Sequence, residues 1–153
     1  MSFAIEIQRV DKTTLPFNDE QIISWAKSAL TPLITAAELT IRIVGETEIR
    51  SLNKQYRHKD DSTNVLSFPS SVPQQIQEQL KTHFIGDIII CPSVLTKESD
   101  EQGKALEHHW AHMVVHGILH LLGYDHIQAA DEIKMQTLEI QILQQLGIDN
   151  PYE

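Results

Sequence analysis

The chain has 153 residues, of which 41% are hydrophobic and 22% charged, and its formal net charge is −9. That length suits one domain, residues 1–153, able to bury about two thirds of the surface its unfolded chain exposes without a disulfide as a staple. The acidic balance speaks against broad nonspecific attraction to nucleic acid, no run approaches the roughly 18 apolar residues of a membrane span, and a single cysteine, Cys91, rules out both an intrachain disulfide and a cysteine-rich zinc ribbon.

The opening MSFAIEIQRV lacks the basic start, apolar block and small-residue cleavage site of a secretory leader, so a cytoplasmic protein with no membrane partner is expected. Phe3, Ile5 and Ile7 alternate with Ala4, Glu6 and Gln8, the period of a strand with one buried face. A helix is expected from about Asn18, a good N-cap followed by Asp19 and Glu20, with Ile22, Ile23, Ala26, Ala29, Leu30 and Leu33 at helical spacing and Pro32 at its fraying end. Leu39, Ile41 and Ile43 then alternate with Thr40 and Arg42 as a second strand closed by Gly45. A short helix carries Ile49, Leu52 and Tyr56 on one face.

After the polar HKDDST, NVLSFP reads as a short strand cut off by Pro69, and the glutamine-rich stretch with Pro73 reads as a surface excursion. FIGDIIIC, Phe84 to Cys91, is the most apolar strand and Pro92 halts it; Cys91 at its end reads as a buried small hydrophobe. Two helices finish the chain, one of about twenty residues ending near Gly123 and one from about Ala129 to Leu146 stopped by Gly147. The order βαβαββ followed by helices predicts an α+β fold, a small mixed sheet of about four strands packed with about five helices.

The segment HGILHLLGYDH, His116 to His126, places three histidines in a leucine-rich helix and the turn after it. His112, His116 and His120 are each four apart, so on a helix they share a face with β-carbons about 5–6 Å apart. Two such imidazoles reach one ion; a third ligand must come from elsewhere, and Gly123 offers the break that lets His126 fold back. This is the layout of the metzincin zinc site, and three imidazoles leave a fourth tetrahedral position open, as in catalytic rather than structural zinc sites. For a lone histidine a helix-surface or satisfied core position is the better reading. Three at this joint spacing favour a metal, because half-buried imidazole nitrogens without partners are costly and coordination removes that cost. His112 is the spare: it supports the ligands, contacts substrate or is merely polar. Asp125, beside His126, either orients an imidazole or stabilises the turn.

The residue after the first helical ligand is Gly117, where zinc proteases have the glutamate that serves as general base, so a peptidase of that class is disfavoured. Gly117 either clears space at the ion or permits close packing, at about 1 kcal/mol of helix propensity relative to alanine. Arg50, Lys54, Arg57 and Lys59 fall in IRSLNKQYRHK, which contains no carboxylate; it is either a solvated helix face or a patch for an anion.

With these residues in place the chain resembles the YbeY family of bacterial endoribonucleases and rRNA maturation factors. Three blocks carry the resemblance, SLNKQYRHKDDSTNVLSFP (51–69), GDIIIC (86–91) and HWAHMVVHGILHLLGYDH (109–126). It implies one zinc ion per chain on His116, His120 and His126, with other divalent transition metals possible, and a role for Arg57. It implies single-stranded RNA as substrate, maturation of the 3′ end of small-subunit rRNA, and action in late 30S assembly and ribosome quality control, with the 30S subunit or its proteins and an assembly GTPase as partners.

On that footing the catalytic expectation is His116 together with Arg57, whose planar guanidinium pairs with a phosphate. Ser67, Thr63 and Asn64 donate hydrogen bonds to RNA or serve turn chemistry. Asp87, the one charge in its apolar run, is a pocket carboxylate or an edge residue facing water, and the pocket is preferred. Two other classes compete with the endoribonuclease: a metallohydrolase of another bond, against which Gly117 speaks, and a noncatalytic assembly factor whose zinc only rigidifies the last helices.

Overall fold

Strands β1 (Ser2–Arg9), β2 (Ala36–Ile43), β3 (Val65–Pro69) and β4 (Phe84–Ile90) form one sheet in the order β1-β2-β4-β3. The computed structural model describes residues 2–81, 83–125 and 127–153. β1, β2 and β4 run parallel, and β3 returns antiparallel along the edge with Leu66 opposite Ile89 and Ser67 opposite Ile88. Successive side chains of a strand face opposite ways. Ile88 and Ile90 therefore enter the main core with Leu39, Ile41 and Ile43, while Ile89 and Leu66 enter a smaller cluster on the other face.

Among the described residues six helices surround this sheet: α1 (Asp19–Leu30), α2 (Glu46–Arg57), α3 (Gln74–Leu80), α4 (Pro92–Gln102), α5 (Leu106–Leu121) and α6 (Ala129–Gln145). The expected α+β class and mixed four-stranded sheet are present. α1 starts where its sequence directs: the Asn18 side chain accepts the Gln21 N–H at 3.0 Å and the Gln21 side chain accepts the Asn18 N–H at 3.1 Å, so two donors that a helix start leaves unpaired are satisfied reciprocally. α3 and α4 were not expected. α3 buries none of its residues, so it has no apolar stripe to betray it. At α4, Pro92 is both the strand's stop and the first turn of a helix, where a missing N–H costs nothing.

α5 is the central helix. Trp110, Val114, Val115, Ile118 and Leu119 are fully buried, and Phe17 meets Trp110 edge-on at 5.2 Å between ring centres. Each such aliphatic side chain contributes about 1.5–3 kcal/mol by leaving water. α5 crosses the sheet so closely that a β-carbon on Gly117 would lie 3.1 Å from Ile88 Cδ1 and 3.2 Å from its Cγ2. The glycine thus serves close packing against β4. α2 lies on the opposite face, seating Ile49 and Leu52 over Leu66, Ile89 and Phe68. Edge strand β3 separates the two sides, turning Ser67 towards α5 and Phe68 towards α2.

Candidate metal centre

Helical spacing puts His109, His112, His116 and His120 along one side of α5, and the rings of His116 and His120 stand 4.5 Å apart. Their Nε2 atoms face each other at 3.0 Å. The opposite nitrogen of His116, Nδ1, lies 2.7 Å from Oε1 of Glu139 on α6, and the other carboxylate oxygen, Oε2, lies 2.9 Å from Nε2 of His112. The Tyr152 hydroxyl donates to Oε2 as well. Glu139 is completely buried, His116 keeps 23% of its side chain exposed, and ligand atoms of His112, His116 and Glu139 lie within 4.8 Å of one another, so this group could hold a metal ion.

A carboxylate only accepts hydrogen bonds, so each ring nitrogen facing it carries the proton. In neutral His116 that leaves a bare lone pair on Nε2, directed at His120. Two nitrogens at 2.0–2.1 Å from a tetrahedral zinc stand about 3.3 Å apart. The observed 3.0 Å is close to that separation, and the donor set fits a borderline-soft divalent cation.

Burial pushes the Glu139 carboxyl up, but hydrogen bonds from His112 and His116, helped by Tyr152, outweigh it and hold the group at about 2. Burial is also the main influence on His112 and disfavours its charged form, which Glu139 only partly opposes. The centre thus holds an ionised carboxylate beside a His112 ring whose neutral form is favoured.

His126 lies outside the described residues. Gly123, the expected break, has φ +98°, a left-handed conformation that glycine adopts without strain, and half-buried Asp125 follows in the same turn. His112 belongs to the Glu139 network and not to the surface. Glu139 and Tyr152 escaped the sequence reading. Glu139 left a signal, since it stands four residues after Met135 and three before Ile142 on the buried stripe of α6, where a carboxylate needs a partner. Tyr152 left none.

The remaining candidates are dispersed. Ser67 is buried and its Oγ lies 3.4 Å from the Gly117 carbonyl oxygen, tying β3 to α5. The Asn64 amide donates to both oxygens of Glu98 at 3.2 and 3.3 Å and accepts the Val65 N–H, so it acts as a brace at the start of β3. Thr63 precedes it in the same half-buried loop. Asp87 lines a cleft of about 420 Å³ on the α2 face with Arg42, Tyr56 and Phe68, and burial pushes its carboxyl up. It is a pocket residue of an interior strand, not an edge residue. Arg50 is taken by Asp60 at 2.8 Å, whereas Arg57, exposed at the end of α2, has no ion-pair or hydrogen-bond partner among the described residues.

Fold and site together define an α+β protein with a histidine-rich centre able to hold a metal ion. The family model described as Endoribonuclease YbeY matches residues 6–147. Two Pseudomonas putida proteins, of strains F1 and KT2440, each named Endoribonuclease YbeY, are 47% identical over 97% of this chain and 92% of their own length. A Pseudomonas fluorescens protein of the same name is also 47% identical, over 97% of this chain and 95% of its own. The chain belongs to the YbeY endoribonuclease family. Its fold is shared by a Thermotoga maritima protein solved in solution, with TM-score 0.59 and 24% identity over 94% of this chain and 91% of that one.

Proposed function

We propose that residues 1–153 form one catalytic domain, a zinc-dependent endoribonuclease that cuts single-stranded RNA in the maturation of the 3′ end of small-subunit rRNA, during late 30S assembly in the cytoplasm. Family membership supports the endoribonuclease activity. The observation that carries the metal dependence is the apposition of His116 Nε2 and His120 Nε2 at 3.0 Å, with His116 held from behind by a buried carboxylate. His116 and His120, joined by His126, would hold the ion. Bound there, zinc supplies a Lewis acid for a phosphoryl oxygen.

The chain's own residues account for positioning. Arg57, at the end of α2, has no partner among the described residues, and its fork can take two oxygens of one phosphate. β3 is the sheet edge, with Phe68 turned to α2 and Ser67 to α5, and in this reading an extended strand crossing that edge would run from the side of Arg57 to the side of the histidines. Single-stranded RNA is extended enough to do this, whereas a duplex is rigid. A net charge of −9 opposes capture of free RNA by long-range attraction. A 30S particle, its proteins or an assembly GTPase that presents the rRNA end removes that difficulty.

The test is cleavage of a single-stranded RNA by purified protein, with and without chelator, alongside the His120→Ala variant. We expect cutting by wild type alone, abolished by either change. Undiminished cutting by folded His120→Ala would remove the metal from the mechanism.

A further inference from the structure

Glu139 is the one fully buried carboxylate among the described residues, and it faces three hydrogen-bond donors: His116 Nδ1 at 2.7 Å, His112 Nε2 at 2.9 Å and the Tyr152 hydroxyl. Two roles are open to such a group beside a metal centre. It can bind the ion, or it can orient a ring that does. The geometry chooses between them: Glu139 lies 2.7 Å from Nδ1 of His116, the length of a charge-assisted hydrogen bond, while the ring's other nitrogen, Nε2, is the one turned to His120. Turning Glu139 into a ligand would also strip buried ring N–H groups of their acceptor.

The consequence for His116 is chemical. A neutral imidazole carries its proton on either nitrogen, and only the form protonated at Nδ1 leaves Nε2 able to bind a cation. Glu139 selects that form and fixes the ring plane at the same time. The carboxylate is itself held firmly: its backbone sits on the buried stripe of α6 between Met135 and Ile142, and His112 and Tyr152 share its second oxygen. Tyr152 is in turn anchored where the Asn150 side chain accepts its N–H at 2.8 Å and Lys104 donates to the Pro151 carbonyl at 2.7 Å. The segment 150–152 is thereby strapped across the back of the histidine centre.

We propose that Glu139 is a positioning residue for His116, held by His112 and by a strap ending in Tyr152, and that it sets metal affinity without touching the ion. This rests on the reading above that His116 and His120 bind the metal.

Zinc affinity, measured by competition with a chromophoric chelator, tests it on wild type, Glu139→Gln and Tyr152→Phe. The fold of each metal-free protein is checked by circular dichroism. Glu139→Gln should weaken zinc binding by about 10–100-fold, the usual effect of removing such a partner. Tyr152→Phe should weaken it by about fivefold, the equivalent of one hydrogen bond. X-ray absorption at the zinc edge should show the same imidazole shell in wild type and Glu139→Gln. Affinity within about twofold of wild type in both variants overturns the proposal, and so does loss of a carboxylate ligand on going to Glu139→Gln. If Glu139→Gln does not fold, Tyr152→Phe decides alone, and wild-type affinity in that variant overturns the proposal. Wild-type protein that binds zinc in this manner yet leaves RNA intact sinks the proposed function and spares this inference; wild-type protein that binds no zinc sinks both.

Discussion

Replacing Gly117 with alanine puts a number on the packing of α5 against the sheet. The new β-carbon would stand 3.1 Å from Cδ1 and 3.2 Å from Cγ2 of Ile88, a side chain with no exposure in the middle of β4. Cδ1 can swing about χ2, but Cγ2 shifts only with the strand or by a χ1 rotation that a β-branched side chain resists. Overpacking of this kind costs about 1–3 kcal/mol, and the gain from alanine in a helix offsets about 1 kcal/mol. The balance is a net loss of about 1 kcal/mol. In a domain of this size that lowers the melting temperature by about 2–4 °C. Urea titrations of wild type, Gly117→Ala, Ile88→Val and the double variant form a thermodynamic cycle. Ile88→Val removes the nearest atom, so we expect it to cost about 1 kcal/mol in the wild-type background and clearly less in the Gly117→Ala background. Additive effects, or a Gly117→Ala protein stabilised by the full helix-propensity gain, would refute the close-packing role.

Three further outcomes are expected. Arg57→Ala should reduce RNA cleavage by at least about 100-fold while zinc stays bound, and Arg57→Lys should not restore it, because an ammonium lacks the bidentate fork; kinetics and metal analysis on one preparation check both. Asn18→Ala removes the side-chain half of the α1 capping box and should cost about 1 kcal/mol in urea unfolding with no change in zinc affinity. Burial raises the Asp87 carboxyl in the folded protein, so its ionised form is penalised above that raised value and the penalty fades as pH falls towards the ordinary 3.8. Asp87→Asn should therefore stabilise the protein at about pH 7, and the advantage should shrink in urea titrations stepped down towards about pH 4.

What was legible in the sequence followed from strong local patterns. The alternation in Ile5, Ile7 and in Leu39, Ile41, Ile43 found two strands, which pair in parallel, and Asn18 with Asp19 and Glu20 behind it marked a helix start. The spacing of His116 and His120 put two imidazoles together because four residues is close to one helical turn. Other features were hidden for physical reasons. α4 exposes most of a polar surface and buries only Pro92, Leu95 and Ser99, too few to set a period. Arg57 and the histidines were expected to act together, but a sheet edge lies between their helices, and strand topology of that kind is invisible to local spacing. The Glu139–His116 contact joins residues 23 apart on two helices. Sequence marks such a carboxylate as buried by helical period, yet names its partner only once the helices are packed.

The most direct measurement is the rate of single-stranded RNA cleavage as zinc is titrated into chelator-stripped, folded protein. We expect no cutting at the start and a rise that saturates near one equivalent of zinc per chain, with the same titration flat for His116→Ala. Full-rate cleavage by the stripped protein, or a rise that survives loss of His116, would contradict the assignment of this histidine centre to the reaction.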